Sequence, residues 1–332
     1  MPAALPRVAV ITTGGTIASR RDPETGAVSA VASPDELVAG APEIAGLAEL
    51  VLQPWASVNS WNMTPAMMFD LARDVSDVLR QPDIAGAVVT HGTDTVEESG
   101  FMADLVVASD KPVVFAVAMR NLSESGADGP RNLADAVRVA VHPASRGRGA
   151  LLVANGEIHA CRYVTKMNTV SPAAFQSPDF GPAGLVHGGQ VRYLHPPPVR
   201  RTLEARELEE QVHIVKAVSG EDSALLAWLC ERGALGIVLE GSGAGNVPGT
   251  MLPGIEEALH RGLTVALTTR VPGGFLSPTY GSGGASGGGF DLMRLGVLPA
   301  DHLPSQKARI ALMLALGAAL PPREIRALLA GP

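Results

Sequence analysis

Val8-Ala9-Val10-Ile11-Thr12-Thr13-Gly14-Gly15-Thr16 sets a short, strongly apolar run directly against a pair of glycines. A run of this length rich in β-branched residues and closed by a turn signal reads as a buried strand, Val8–Thr12, rather than a helix. Further runs of the same kind follow at Ala87–Thr90, Val113–Ala116 and Leu151–Val153. Between them lie longer stretches with helical periodicity, Pro65–Arg80, Thr95–Val107 and Gly129–Val141. Strands alternating with helices imply βαβ units and an open parallel sheet, buried on both faces and therefore continuously apolar.

The alternation stops at Pro196-Pro197-Pro198, and a charged stretch runs from Arg200 to Glu210. Consecutive prolines favour an extended, semi-rigid chain. This places an N-terminal domain at 1–194, a linker at 195–211 and a C-terminal domain at 212–332. The second part resumes the α/β pattern: strands at Val212–Ala217, Gly236–Leu239 and Thr264–Thr268, and helices at Ser223–Arg232, Pro253–Arg261, Ser305–Leu316 and Pro322–Leu329. Gly281–Gly289 is of low complexity and unsuited to the interior of either element; it reads as a surface loop or as a mobile segment beside a site.

At 332 residues and 46% hydrophobic, the chain has length and apolar content enough for one large core or two moderate ones. Its net charge of −7 speaks against a nucleic-acid binder with a broad basic surface. Cys161 and Cys230 make neither a disulfide framework nor a metal signature. No apolar run reaches membrane-spanning length, and the N-terminal run reads as a strand rather than a leader. The expectation is a cytoplasmic protein with no membrane partner.

Two segments carry the chemistry. Thr12-Thr13-Gly14-Gly15-Thr16-Ile17-Ala18-Ser19 follows the first strand, and Thr90-His91-Gly92-Thr93-Asp94-Thr95-Val96-Glu97-Glu98 follows another. Loops at the carboxyl ends of parallel strands line one crevice, so the two should meet. Gly14 and Gly15 let the backbone approach a ligand closely and aim N–H groups at it. Thr16 then presents a hydroxyl, a weak nucleophile until a base takes its proton. Taken singly, each segment has a plainer reading: a tight turn for Gly-Gly-Thr, and a capped helix start at Thr93 or Asp94 for the other. Neither a phosphate-loop Lys-Ser/Thr nor G-x-G-x-x-G spacing is present, so nucleotide binding has little support.

Together these motifs resemble the bacterial asparaginase/glutaminase family, the threonine amidohydrolases. Further likeness lies in Lys111-Pro112-Val113-Val114, Ala118-Met119-Arg120, Ala127-Asp128-Gly129-Pro130 with Asn132-Leu133, and Val164-Thr165-Lys166. The resemblance implies a flavodoxin-like, doubly wound parallel sheet in the N-terminal domain and a smaller α/β C-terminal domain, also with a parallel sheet. It implies Thr16 as nucleophile toward a side-chain amide, and a second group made of Thr93, Lys166 and Asp94. Asp94 would also hold the substrate's α-ammonium, Ser60 its carboxylate, and the Gly15 and Thr93 N–H groups its carboxylate or oxyanion. It further implies an acyl-enzyme reaction on a small amide without metal or organic cofactor, and a homotetramer built of tight dimers in which Asn246 reaches the adjacent protomer's site.

Three positions depart from the family pattern. The lid after Gly-Gly-Thr ordinarily carries a Tyr, but no aromatic stands between Ile17 and Leu37; Tyr280, beside the Gly-rich stretch, is the candidate substitute. Where the family often has Gln, this chain has Trp61, whose bulk predicts asparagine in preference to glutamine. A later acidic residue has no counterpart around Phe275–Gly281. Two other readings stay open: hydrolysis of some other small β- or γ-amide, and a non-catalytic amino-acid sensor on the same scaffold.

Overall fold

A computed structural model of the chain describes residues 4–281 and 286–331. The chain divides after Thr202 into two compact units, each considered by itself below. The division falls within the charged stretch Arg200–Glu210.

In the first unit the strands are β1 (Arg7–Thr12), β2 (Ser19–Arg21), β3 (Val28–Ala30), β4 (Glu49–Pro54), β5 (Ile84–Thr90), β6 (Val113–Ala116), β7 (Ala150–Ala154), β8 (Glu157–Ala160), β9 (Thr165–Lys166), β10 (Phe175–Gln176), β11 (Gly184–His187) and β12 (Gln190–Tyr193). The helices are α1 (Pro34–Ala39), α2 (Pro65–Leu79), α3 (Val96–Val106) and α4 (Gly129–Val141). One sheet runs in the order β12-β11-β8-β7-β6-β5-β1-β4. From β4 to β7 all pairings are parallel, and β8, β11 and β12 extend the sheet in antiparallel fashion. The parallel part has the doubly wound, flavodoxin-like order, reversing direction at β1 and β5.

Both faces of that sheet are covered, which explains the unbroken apolar runs. Val8, Val10, Val88, Val114 and Ala116 share a core with Leu37 of α1 and with Leu133, Ala136 and Val137 of α4. By the two-residue strand repeat, Ala9, Ile11, Ala87 and Val89 face the other way. There α2 packs beside α3, burying Phe69, Leu71, Val75, Phe101, Met102 and Leu105. Each large apolar side chain so buried contributes roughly 1.5–3 kcal/mol. Local signals agree with the packing. Thr64 caps α2 by accepting from Met67 N, with Pro65 at the first helical position. Ser33 and Glu36 form a capping box at α1.

The structure adds elements to those read from the sequence. β4 is an edge strand whose side chains stay half-buried or exposed, so Glu49–Pro54 lacks a continuous apolar run. β2 and β3 form a short hairpin just after Thr16. Residues 195–202 do not hang free. Arg148 Nη1 donates to His195 O at 2.8 Å. Arg200 donates to Asp104 Oδ1 and to the carbonyls of Asp104, Val107 and Ser109, covering the C-terminal end of α3, where unpaired carbonyls gather.

The second unit holds β13 (Val212–Lys216), α5 (Ala224–Glu231), β14 (Gly236–Gly241), α6 (Leu252–His260), β15 (Thr264–Thr269), α7 (Gly289–Leu295), β16 (Leu298–Pro299), α8 (Ser305–Gly317) and α9 (Pro322–Ala330). Its sheet is β13-β14-β15-β16, parallel throughout. Leu226 and Leu229 of α5 share a core with Ile255 and Ala258 of α6 and with Ile237 and Val265 of the sheet. α8 runs along β13–β15 and carries α9. Of the low-complexity stretch, residues 282–285 lie outside the described residues, and Gly289 opens α7. Among the described residues, no helix is long and apolar enough to cross a membrane.

Candidate active site

The crevice at the carboxyl ends of β1, β4 and β5 is assembled by backbone lying on backbone. Thr13 stitches its three strands together: its N–H and its hydroxyl both donate to Thr90 O, and its own carbonyl accepts from Val58 N. Gly14 and Gly15 both have positive φ, 99° and 86°, a region open chiefly to glycine. Space makes the same demand. A Cβ on Gly14 would lie 2.9 Å from Val58 N, one on Gly15 less than 3.0 Å from Gly92 Cα and N, and one on Gly92 2.6 Å from Ser60 Oγ. Three loops are thereby in contact at Gly14–Val58, Gly15–Gly92 and Gly92–Ser60, and Thr16 and Thr93 each lie one residue beyond the Gly15–Gly92 contact. A fourth loop joins at Gly129, where a Cβ would meet Ile17 Cγ1 at 3.0 Å and Ala118 Cβ at 3.4 Å.

On this scaffold Lys166 Nζ donates to Thr93 Oγ1 at 2.8 Å and to Asp94 Oδ1 at 2.6 Å. Lys166 is held by the small β9–β10 ladder, in which it pairs with the buried Phe175. Its side chain is 17% exposed and that of Asp94 is 45% exposed, so the ion pair opens to solvent on the carboxylate side. The helix-cap reading of Thr93 and Asp94 does not hold. α3 begins after Thr95, with no side-chain cap bond, and both side chains turn to Lys166 instead. Glu97 and Glu98 do occupy the first turn of α3, where they complement the helix dipole.

Ser60 is buried at 4% exposure. Its Oγ accepts from Asp94 N at 3.2 Å, and its carbonyl accepts from the Thr95 hydroxyl at 2.7 Å. With an N–H filling one lone pair of Ser60 Oγ, its own O–H remains available to donate. Trp61, the next residue, turns outward and is 65% exposed. Thr16 is half-buried, and among the described residues its hydroxyl has no hydrogen-bond partner. The hairpin that follows it is tied to neighbouring loops: Ser57 Oγ donates to Ala30 O, Arg21 N to Ser123 Oγ, and Leu122 N to Ser19 O.

Asn246 and Tyr280 belong to the second unit. Asn246 Oδ1 accepts from Gly289 N at 3.1 Å, supporting the start of α7. Tyr280 accepts from Phe290 N through its carbonyl, and the residue is 67% exposed. Three further residues shape the site without an assigned role in the sequence. His91 bonds the Gly92 carbonyl and Thr95 ties Ser60. The Asp128 carboxylate accepts from Met119 N, Arg120 N and Asn132 Nδ2, ordering the loop after β6. All three lie inside the quoted motifs, but sequence does not say which way a side chain turns. Among the described residues, no three His, Cys, Asp or Glu side chains gather as a metal site.

Residues 7–199 match the family described as Asparaginase, N-terminal, and residues 211–329 match the Glutaminase/Asparaginase C-terminal domain. The chain belongs to the asparaginase family. A probable L-asparaginase of Deinococcus radiodurans is 38% identical to it, with 98% of each chain covered. L-asparaginase 2 of Bacillus subtilis is 33% identical, over 97% of this chain and 86% of that one. The crystal structure of a probable cytoplasmic L-asparaginase from Campylobacter jejuni is similar with a TM-score of 0.87 at 32% identity, covering 98% of this chain and 100% of that one. The N-terminal asparaginase match thus contains every residue of the three-loop contact, and the C-terminal match contains Asn246 and Tyr280.

Proposed function

We propose that the protein is an L-asparaginase, hydrolysing asparagine to aspartate and ammonia through an ester on Thr16. One observation carries the chemistry: the Lys166 ammonium lies within hydrogen-bond distance of both Thr93 Oγ1 and Asp94 Oδ1, on the loop that touches Gly15. Since Lys166 donates to Thr93, the Thr93 oxygen is an acceptor there, and its own O–H has only the long 3.5 Å bond to Asp94 Oδ1 to give up before it can turn to a substrate. An adjacent ammonium also favours the alkoxide that forms when that proton moves. In this reading Thr16 Oγ1 attacks the amide carbon and the N–H groups of Gly15 and Thr93 receive the oxyanion or the substrate carboxylate. The proton leaving Thr16 ends on the amide nitrogen, which departs as ammonia. Water then attacks the acyl carbon, and Thr93 Oγ1 relays the water's proton to the departing Thr16 Oγ1, which restores the Thr16 hydroxyl as the carboxyl product forms. Asp94 receives the α-ammonium of the substrate, and Ser60, through its available O–H, receives the α-carboxylate.

The same reading makes the protein cytoplasmic and a homotetramer of tight dimers, with Asn246 contributing to a neighbouring protomer's site and Tyr280 standing in for the missing lid tyrosine. The aromatic-free hairpin supports the search for such a substitute. Asparagine is taken in preference to glutamine, although Trp61, 65% exposed, does not narrow the crevice as its bulk alone predicts. Hydrolysis of another small β- or γ-amide is the second reading, favoured by that same aromatic-free lid. Ammonia release from a panel of amides tests all of this. Activity on asparagine should vanish in Thr16→Ala and Thr93→Ala and drop sharply in Tyr280→Phe. Equal kcat/KM for glutamine would overturn the stated preference, and no release from any amide would favour a sensor.

A further inference from the structure

We infer that His91 is a positioning residue that aims the Thr93 N–H into the crevice by fixing the peptide bond between Gly92 and Thr93; the inference rests on the proposed amidohydrolase reading for its kinetic consequence but not for its geometry. His91 Nδ1 lies 2.8 Å from Gly92 O. A carbonyl can only accept, so Nδ1 carries the hydrogen and Nε2 is bare. The ring is fully buried, edge-on to Phe115 with centroids 6.0 Å apart, and the His91 N–H is itself bonded to Ala116 O. The imidazole is thus fixed in place and tautomer between β5 and β6.

A trans peptide is planar, with its C=O and N–H pointing in opposite directions. Among the described residues no peptide bond is cis. A Gly92 carbonyl drawn inward to the imidazole therefore turns the Thr93 N–H outward. That N–H has no partner within the protein among the described residues, although Thr93 is only 7% exposed. An N–H left without a partner inside the protein is a donor available to a ligand in the crevice. Gly92 has no side chain to restrain its own rotation, so the outward setting of the donor depends on the contacts at Gly15 and Ser60 and on the His91 bond. His91 Nε2, also without a partner among the described residues, has no second hydrogen bond through which to act, which leaves the Nδ1 bond as the ring's polar function.

The test compares His91→Leu, which removes the donor, with His91→Asn, whose Nδ2 stands at the same bond position as Nδ1. Loss of a preorganised backbone donor lowers turnover by about 100-fold or more. The Leu variant should therefore lose at least about tenfold in kcat/KM at a temperature well below its melting point, and the Asn variant should recover most of that loss. If the Leu variant does not fold, His91→Gln replaces it, since Gln keeps polarity but moves the N–H one bond away. Equal impairment of the Asn and the donor-free variants, or wild-type kinetics in all, overturns the inference. A crystal structure of the Leu or Gln variant reads the geometry without any substrate: a rotated Gly92–Thr93 peptide supports the proposal, and an unmoved one overturns it. Absence of asparagine hydrolysis by the wild-type protein would defeat the proposed function alone and leave that crystallographic comparison decisive.

Discussion

Gly15→Ala puts a single methyl where three loops touch. In the native backbone its Cβ would stand less than 3.0 Å from Gly92 Cα and N and 2.9 Å from the carbonyl carbon of His91. Ordinary contact begins near 3.4 Å. The atoms in the way are all main chain, so no rotamer change relieves the clash, and the two loops must separate by several tenths of an ångström or more. The backbone adds its own penalty, because Gly15 sits at φ 86°, ψ −179°, a region essentially confined to glycine and costing about 1–3 kcal/mol for other residues. Overpacking contributes roughly another 1–3 kcal/mol. Together they amount to about 2–6 kcal/mol, a fall of roughly 4–24 °C in the melting temperature of a unit this size. Because the methyl pushes Gly92 away from Gly15, it also displaces Thr93 relative to Thr16. A displacement approaching 1 Å costs about 100-fold in rate. The assay is thermal unfolding by calorimetry together with ammonia release at a temperature where the variant stays folded. Gly46→Ala is the control, since its Cβ would meet nothing within 4 Å and its φ is not positive. A Gly15→Ala protein with the melting temperature and kcat/KM of the Gly46→Ala control would refute the reasoning that places the two threonine loops in contact.

Lys166→Met keeps the length and the apolar stem but removes both donated bonds; ammonia release should fall by about 100- to 10,000-fold, with circular dichroism unchanged, and a fall of less than fivefold would remove Lys166 from the reacting group. Ser60→Ala deletes the acceptor for Asp94 N and the hydroxyl proposed for the substrate carboxylate. A hydrogen bond to a charged group is worth about 1.5–3 kcal/mol, so KM should rise roughly 10- to 150-fold with a smaller change in kcat, and an unchanged KM contradicts the assignment. Acid titration of stability reports on His91, whose pKa burial lowers from 6.5 to about 4. Between those values the unfolded chain binds a proton that the folded chain refuses, so stability declines as pH falls through this window, by about 3 kcal/mol in all, and His91 adds no pH dependence above it. Urea unfolding of His91→Leu should show a shallower slope between pH 6.5 and 4, and an identical slope would show that the imidazole is not kept neutral by burial.

The parallel strands were legible because burial on both faces leaves an unbroken apolar signature: Val8–Ile11, Ala87–Val89, Val113–Ala116 and Leu151–Val153 are all interior. β4 escaped detection because its flanks face solvent and its sequence, Glu-Leu-Val-Leu-Gln-Pro, carries polar residues at both ends. β12 was hidden for the same reason, with exposed residues alternating along it, whereas β8, Glu-Ile-His-Ala, is mostly buried but has no continuous apolar run because His159 interrupts it. In the site, Gly14, Gly15 and Thr93 announced themselves because close backbone approach needs glycine and because the motifs follow strands. The grip of Thr95 on Ser60 and of His91 on Gly92 could not be read, since both depend on side-chain direction across loops more than thirty residues apart or on a single rotamer. The aromatic-free hairpin could be read as a departure, but not which loops it is tied to.

The Arg200 clasp has a reach beyond the carbonyls it covers. α3 spans eleven residues, about 16 Å of rod at 1.5 Å per residue. One end of that rod follows directly on Thr93, Asp94 and Thr95, and the other is gripped by a guanidinium two residues before the chain leaves the first unit. A helix is a continuous hydrogen-bonded rod, so the Arg200 clasp and the turn that carries Asp94 are held at a fixed spacing. The exit of the chain from the first unit and the turn before the acid that pairs with Lys166 thus share one helix as their common ruler.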